Sequence, residues 1–123
     1  MKRVTLEVMT VDQLVDRFTA IAIDQDRALL YSEIEKYNRL FAEMRAVEEQ
    51  LKDHPGDQRR ALLPLHFHSN WQVRLMAAHA TFAIAPEAGR RLLQSIADSR
   101  HFPQAGDAGM SLDALDRGIY KPK

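Results

Sequence analysis

From Trp71 to Ile84 the chain is apolar around most of a helical wheel. Val73, Met76, Ala77, Ala80 and Ile84 fall on one face, and Leu75, Phe82 and part of His79 on another. A helix with two apolar faces has to lie between neighbours. The alanines at 77, 78, 80 and 83 would let those neighbours approach closely. A chain built around such a segment is expected to be a layered, all-α protein.

The rest of the sequence keeps the helical period. Thr10 precedes Val11-Asp12-Gln13 as in a capping box. Val11, Leu14, Val15, Phe18, Ile21 and Ala22 then recur three or four apart, which predicts a helix over 11–24 ending near Asp24-Gln25-Asp26. Leu30, Ile34, Tyr37, Phe41, Met44, Val47 and Leu51 make one stripe of a second helix over 27–53, stopped by His54-Pro55-Gly56. Asp57 is positioned to cap a third helix, 58–66, with Pro64 inside it as a bend, and Asn70 to cap the interior helix. Pro86 opens a fifth helix with Leu92, Leu93 and Ile96 inward. Residues 99–110, rich in Gly and Ala, read as a loop, and Ser111 as the cap of a short last helix. No stretch alternates long enough to predict a strand.

At 123 residues the chain is expected to be one domain, 1–123, with a core of its own. It has no cysteine, which excludes disulfides and thiolate chemistry and suits a reducing cytoplasm. Met1–Met9 contains Lys2 and Arg3 but no apolar run of signal length, and no stretch is long and apolar enough to span a membrane. A soluble, cytoplasmic protein is therefore expected. Formal net charge is zero, from 17 basic and 17 acidic residues. Residues 1–53 hold 8 basic and 11 acidic side chains, net −3, and residues 54–123 hold 9 and 6, net +3. A neutral chain lacks the positive excess that non-specific nucleic-acid binding requires.

The stretch Leu62-Leu63-Pro64-Leu65, a turn, and Val73-Arg74-Leu75-Met76-Ala77-Ala78-His79-Ala80 resembles a HEAT repeat over about 58–84. In such repeats a proline-bent helix pairs with one that opens V-R-x-x-A-A-x-A. The acidic residue usual before V-R is replaced by His68-Ser69-Asn70. The whole chain resembles a family of small bacterial helical-repeat proteins described only as a domain of unknown function. That resemblance rests on Lys36-Tyr37-Asn38-Arg39-Leu40, Gly56–Leu65, Pro86-Glu87-Ala88 and Pro103–Met110. It implies a HEAT/armadillo-like α-α superhelix of five to six helices and implies no activity.

No nucleophile elbow, phosphate loop or dinucleotide fingerprint occurs. His54, His66, His68, His79 and His101 lack the Cys or Glu-x-x-His partners of a metal site, so helix-end hydrogen bonding is their expected role, and neither metal nor cofactor is expected. Gly106-Asp107-Ala108-Gly109 has the spacing of an RNA-binding loop without its strands or basic flanks. Arg59, Arg60, Arg90 and Arg91 would form a basic face if their helices were adjacent. Asn38, a weak helix former beside the apolar stripe, suggests a buried bridge between helices. Arg74 is expected to reach a neighbouring helix end or carboxylate. Asp107 is the residue through which the 99–110 loop would act if it carries a site; the alternative is an ordered crossover that packs Phe102 and Met110, in which Asp107 caps a turn or pairs with an arginine. These features point to a non-enzymatic protein-interaction module, with an immunity- or antitoxin-like inhibitor as its specific version by analogy and homo-oligomers compatible. The alternative is a nucleic-acid binder using the arginine face.

Overall fold

The computed structural model describes residues 5–123; the reading of Met1–Val4 lies outside them. Thr10 closes the capping box as its spacing requires: its Oγ1 accepts from Gln13 N at 3.1 Å while Gln13 Oε1 accepts from Thr10 N at 2.9 Å. From this cap runs α1, Val11–Leu30. The remaining α-helices are α2 (Ile34–Asp53), α3 (Trp71–Thr81), α4 (Pro86–Asp98) and α5 (Gln104–Asp116). Leu6–Val8 and Gln58–Phe67 are 3-10 helices, and no strand occurs among the described residues. The protein is all-helical. The chain divides into two compact units, the first ending at Ala61 and the second running from Leu62 to Lys123.

Unit 1 is a hairpin in which α1 packs on α2. The helix expected over 11–24 continues six residues further, because Asp24-Gln25-Asp26 does not stop it: Gln25 and Ala28 are buried on the same side as Leu14, Phe18, Ile21 and Ala22. Ser32 ends α1. Its backbone takes the left-handed conformation, φ 55°, while Ser32 N donates to Leu29 O at 3.2 Å and Glu33 N to Ala28 O at 2.8 Å. This is a Schellman closure without the usual glycine. The second helix consequently starts at Ile34, not at 27. Its buried face is Leu40, Met44, Val47 and Leu51, spaced four, three and four apart. Ile34 and Phe41 lie about 90–110° from that line at 100° per residue. Both are exposed, contrary to the single inward stripe expected.

The segment expected as an α-helix over 58–66 is a 3-10 helix over Gln58–Phe67. Pro64 has no N–H and its ring opposes the carbonyl four residues back in α geometry, so the tighter register prevails. Asp57 opens it as expected, accepting from Arg59 N at 3.3 Å.

In unit 2, α4 packs on both α3 and α5. Asn70 Oδ1 caps α3, accepting from Gln72 N at 2.8 Å and Val73 N at 3.1 Å. Gln72, Val73, Leu75, Met76, Ala77, Ala78, Ala80 and Thr81 of α3 are all buried, as its two apolar faces demand. Close packing fixes one glycine: a Cβ on Gly89 of α4 would stand 2.7 Å from the ring of Phe82. The expected loop 99–110 is instead largely α5. Ala105, Ala108 and Leu112 are buried on it, and Ser111 lies inside the helix, so it caps nothing. At its end Gly118, φ 73°, donates to Leu115 O at 3.1 Å and Ile119 N to Ala114 O at 2.9 Å, the glycine form of the same closure.

Candidate functional site

The tip of the unit 1 hairpin carries three large apolar side chains within five consecutive residues. Leu30 is 75% exposed, Tyr31 66% and Ile34 62%. Their outward direction follows from the Schellman turn. Residues 31–33 leave the helical path, so Leu30 and Ile34 do not continue the line that buries Ala28 or Leu40. Phe41, two turns along α2 from Ile34, is 43% exposed. The sequence counted Leu30, Ile34 and Phe41 as core, and only the position of the turn reveals them as surface.

The arginines expected to form one basic face do not behave alike. Arg59 is buried and spans the Asp57 carboxylate, Nε to Oδ1 at 2.9 Å and Nη2 to Oδ2 at 2.7 Å. The side-chain hydrogen bond from Arg59 holds the Asp57 carboxyl below its ordinary range, against a smaller opposing effect of burial. Arg59 is thus a neutralised structural residue, which corrects its assignment to a binding face. Arg60 is exposed and reaches Gly56 O at 3.3 Å. Arg90 pairs with Asp116 at 2.9 Å, and Arg91 is exposed beside it on α4. Arg59 and Arg60 belong to unit 1, Arg90 and Arg91 to unit 2.

Arg74 is half-buried in the first turns of α3. Nε donates to the carbonyl of His68, just past the 3-10 segment, and the guanidinium lies 4.4 Å from the centre of the Trp71 ring. Asn38 is exposed on α2 and makes no side-chain hydrogen bond among the described residues, so the buried bridge expected of it is not formed. The buried polar residues of α1 and α3 are instead Gln25, Gln72 and Thr81, with Gln72 accepting from Gln104 Nε2 at 2.9 Å.

Asp107 lies in the first turn of α5 rather than in a loop, and it belongs to a polar cluster that the sequence did not disclose. His79 Nε2 is 3.3 Å from Asp107 Oδ1 and 3.5 Å from Ser111 Oγ, and Ser111 Oγ donates to Asp107 Oδ1 at 3.2 Å. His79 Nδ1 is 3.0 Å from the Tyr120 hydroxyl. Partial burial pushes the Asp107 carboxyl up, but the hydrogen bond and charge of His79, with the Ser111 hydroxyl, outweigh it and hold the group below its ordinary value. The residue types are those of a serine triad, yet the geometry is not. A triad places Asp on one imidazole nitrogen and Ser on the other. Here both meet Nε2, and the serine proton points at the carboxylate, so no base is positioned for Ser111. The arrangement instead ties Tyr120 and α5 to α3. An isolated His in an apolar helix was the one available signal; its partners stand 28 to 41 residues away.

Two other histidines, His54 and His66, make hydrogen bonds within the fold. His54 Nδ1 lies 3.1 Å from Gln50 O at the end of α2, the helix-end role expected. His66 is buried, its Nε2 2.8 Å from Thr81 Oγ1. Since Thr81 Oγ1 donates to Ala77 O at 2.7 Å, it accepts from the imidazole. Among the described residues no three His, Cys, Asp or Glu side chains are grouped to hold a metal, and no helix is long and apolar enough to cross a membrane.

An all-helical chain of two compact units defines a broad class. Comparison narrows it to a family. The chain belongs to the family described as Domain of unknown function (DUF2019), which matches residues 12–116. It is similar to the protein RPA1889 from Rhodopseudomonas palustris CGA009, known from a crystal structure. The two are 49% identical with a TM-score of 0.94, over 98% of this chain and 100% of that one. No curated protein matches it.

Proposed function

We propose that the protein is a non-enzymatic interaction module that docks a protein partner through the tip of α1 and α2. The observation that carries this reading is the clustering of Leu30, Tyr31 and Ile34, each more than 60% exposed, at one turn. Single exposed apolar residues are ordinary, but contiguous ones at a rigid tip favour contact with another surface. Tyr31 adds the residue type most used in interface centres, apolar in body and polar at its end. The two 20-residue helices behind the tip provide a scaffold of about 30 Å. On this reading the 3-10 segment and α3 are a HEAT-like pair, residues 58–84, and the protein works in a cytoplasm as an immunity- or antitoxin-like inhibitor of its partner. The fold-level part of that role is analogy.

The test is affinity capture from the native cell with wild-type chain and with a Leu30→Ser, Tyr31→Ser, Ile34→Ser variant. The expected result is a partner recovered with wild type and lost with the variant, at an unchanged melting temperature. A partner retained equally by both would remove the tip from the interface. Enzymatic turnover by the purified chain would overturn the non-enzymatic reading.

A further inference from the structure

From Gln58 to Pro86 the sequence contains no Asp or Glu, and from Ser99 to Gly106 there is again none. Unit 2 brings parts of these two stretches together. The Trp71 ring stacks on His101, with centroids 5.3 Å apart and planes 23° from parallel, while the Arg74 guanidinium covers Trp71 at 4.4 Å. On either side in sequence stand two phenylalanines with their rings in solvent: Phe67 is 88% exposed and Phe102 68%. Arg100, also exposed, precedes His101 in the left-handed conformation, φ 63°. Asp98, the carboxylate nearest in sequence to this end, accepts from Gln94 Nε2 at 3.0 Å. Both phenylalanines leave most of their surface in water.

Exposed rings, guanidinium groups and a lack of carboxylates are the three ingredients of a surface for unpaired bases and their phosphates. Acidic protein segments would use the cations but have little need of two bare rings. Duplex nucleic acid would use the cations too, but its stacked bases offer no free faces to the two rings. We propose that this end of unit 2 binds single-stranded nucleic acid, with unpaired bases stacking on Phe67 and Phe102 and the phosphates meeting Arg74 and Arg100. The site is distinct from the tip of unit 1 and does not depend on its role.

The chain has one tryptophan, Trp71, so its fluorescence reports this surface directly. Full-length protein is titrated with a fluorescein-labelled single-stranded 12-mer, following anisotropy and, with unlabelled oligomer, Trp71 emission. Binding should weaken with salt at a logarithmic slope of about −1.4, two contacts at about −0.7 each. Phe67→Ser and Phe102→Ser should each weaken it about five- to 150-fold, because loss of one stacked base costs about 1–3 kcal/mol. Both positions are exposed, so melting temperatures should not move. The Leu30→Ser, Tyr31→Ser, Ile34→Ser variant should bind the oligomer as wild type does. Absence of binding at low salt would overturn the proposal. So would equal affinity in the two phenylalanine variants, equal affinity for a duplex of the same sequence, or displacement of the oligomer by an equimolar poly-glutamate peptide.

Discussion

The two units solve helix burial differently. In unit 1 each helix turns one line of residues inward, Leu14, Phe18, Ile21 and Ala22 from α1 and Leu40, Met44, Val47 and Leu51 from α2, and leaves the other faces charged. In unit 2, α3 is buried nearly all round, and small residues rather than long side chains set its distance to its neighbours. A one-sided helix is held by a few large side chains and tolerates change elsewhere. A helix enclosed on all sides is sensitive to volume in both directions and to the polar groups that tie its ends. The closures follow the same division: α1 ends on a strained Ser32 beside an open apolar tip, whereas α5 ends on Gly118, two residues before Tyr120 contacts His79.

The contrast can be broken most forcefully at Phe18, which is fully buried in α1. Phe18→Ala should cost about 3–5 kcal/mol. Circular dichroism melts showing less than 1 kcal/mol would mean that unit 1 is not held by its large side chains. Next in size is the polar tie at the start of α3. Arg74→Ala should lose about 1–3 kcal/mol through the His68 carbonyl bond and the contact with Trp71; an unchanged melting temperature would refute it. The volume argument is sharpened by two glycines of unit 2. Gly89→Ala should destabilise by about 1 kcal/mol, the clash with Phe82 outweighing the gain in helix propensity. Gly109→Ala, with nothing within 4 Å, should stabilise by about 0.5–1 kcal/mol. Equal signs for the two would show that Phe82 yields.

The closures give smaller effects. Ser32→Gly should stabilise by about 0.5–1 kcal/mol by relieving the left-handed strain, and Gly118→Ser should cost a similar amount. Denaturant midpoints moving in opposite directions would support this; parallel movement would not. The mildest effect is that of pH on His66. Burial holds its imidazole below the ordinary 6.5, against a weaker opposing hydrogen bond at Ala77, so the unfolded chain takes up the proton first. Its contribution is complete above about pH 6.5 and lost as pH falls below that value. His66→Gln should therefore show a flatter stability profile between pH 7 and 5 than wild type, and an identical slope would contradict the assignment.

What the sequence disclosed is local. Thr10 with Gln13, Asp57, Asn70 and Pro86 each marked a helix start because a cap needs only residues within a turn of itself. The two-faced α3 was legible because its apolar residues cover the whole wheel. Helix ends failed where the usual breaker was missing: Ser32 closes α1 without glycine, so two helices were divided at the wrong place and Leu30, Ile34 and Phe41 were counted as core. The start of α5 failed for the opposite reason. Pro103, Gly106 and Gly109 signal a loop, and the burial of Ala105, Ala108 and Leu112 overrides them. At the sites, Arg74 was found through its motif. The burial of Arg59 was missed although its partner, Asp57, is two residues away. The His79 cluster is assembled by tertiary structure, and nothing local announces it.

The 3-10 segment Gln58–Phe67 carries a consequence for how the chain breathes. Ten residues in a register with poorer hydrogen-bond geometry, containing a proline that donates none, should protect their amides less than an α-helix does. It also spans the junction at Ala61 and Leu62 where one unit gives way to the other. Its amide protons should exchange with solvent deuterium ahead of those in α1 and α3. Exchange would then begin in the middle of the sequence, while the backbone of α1 and α3 is still closed.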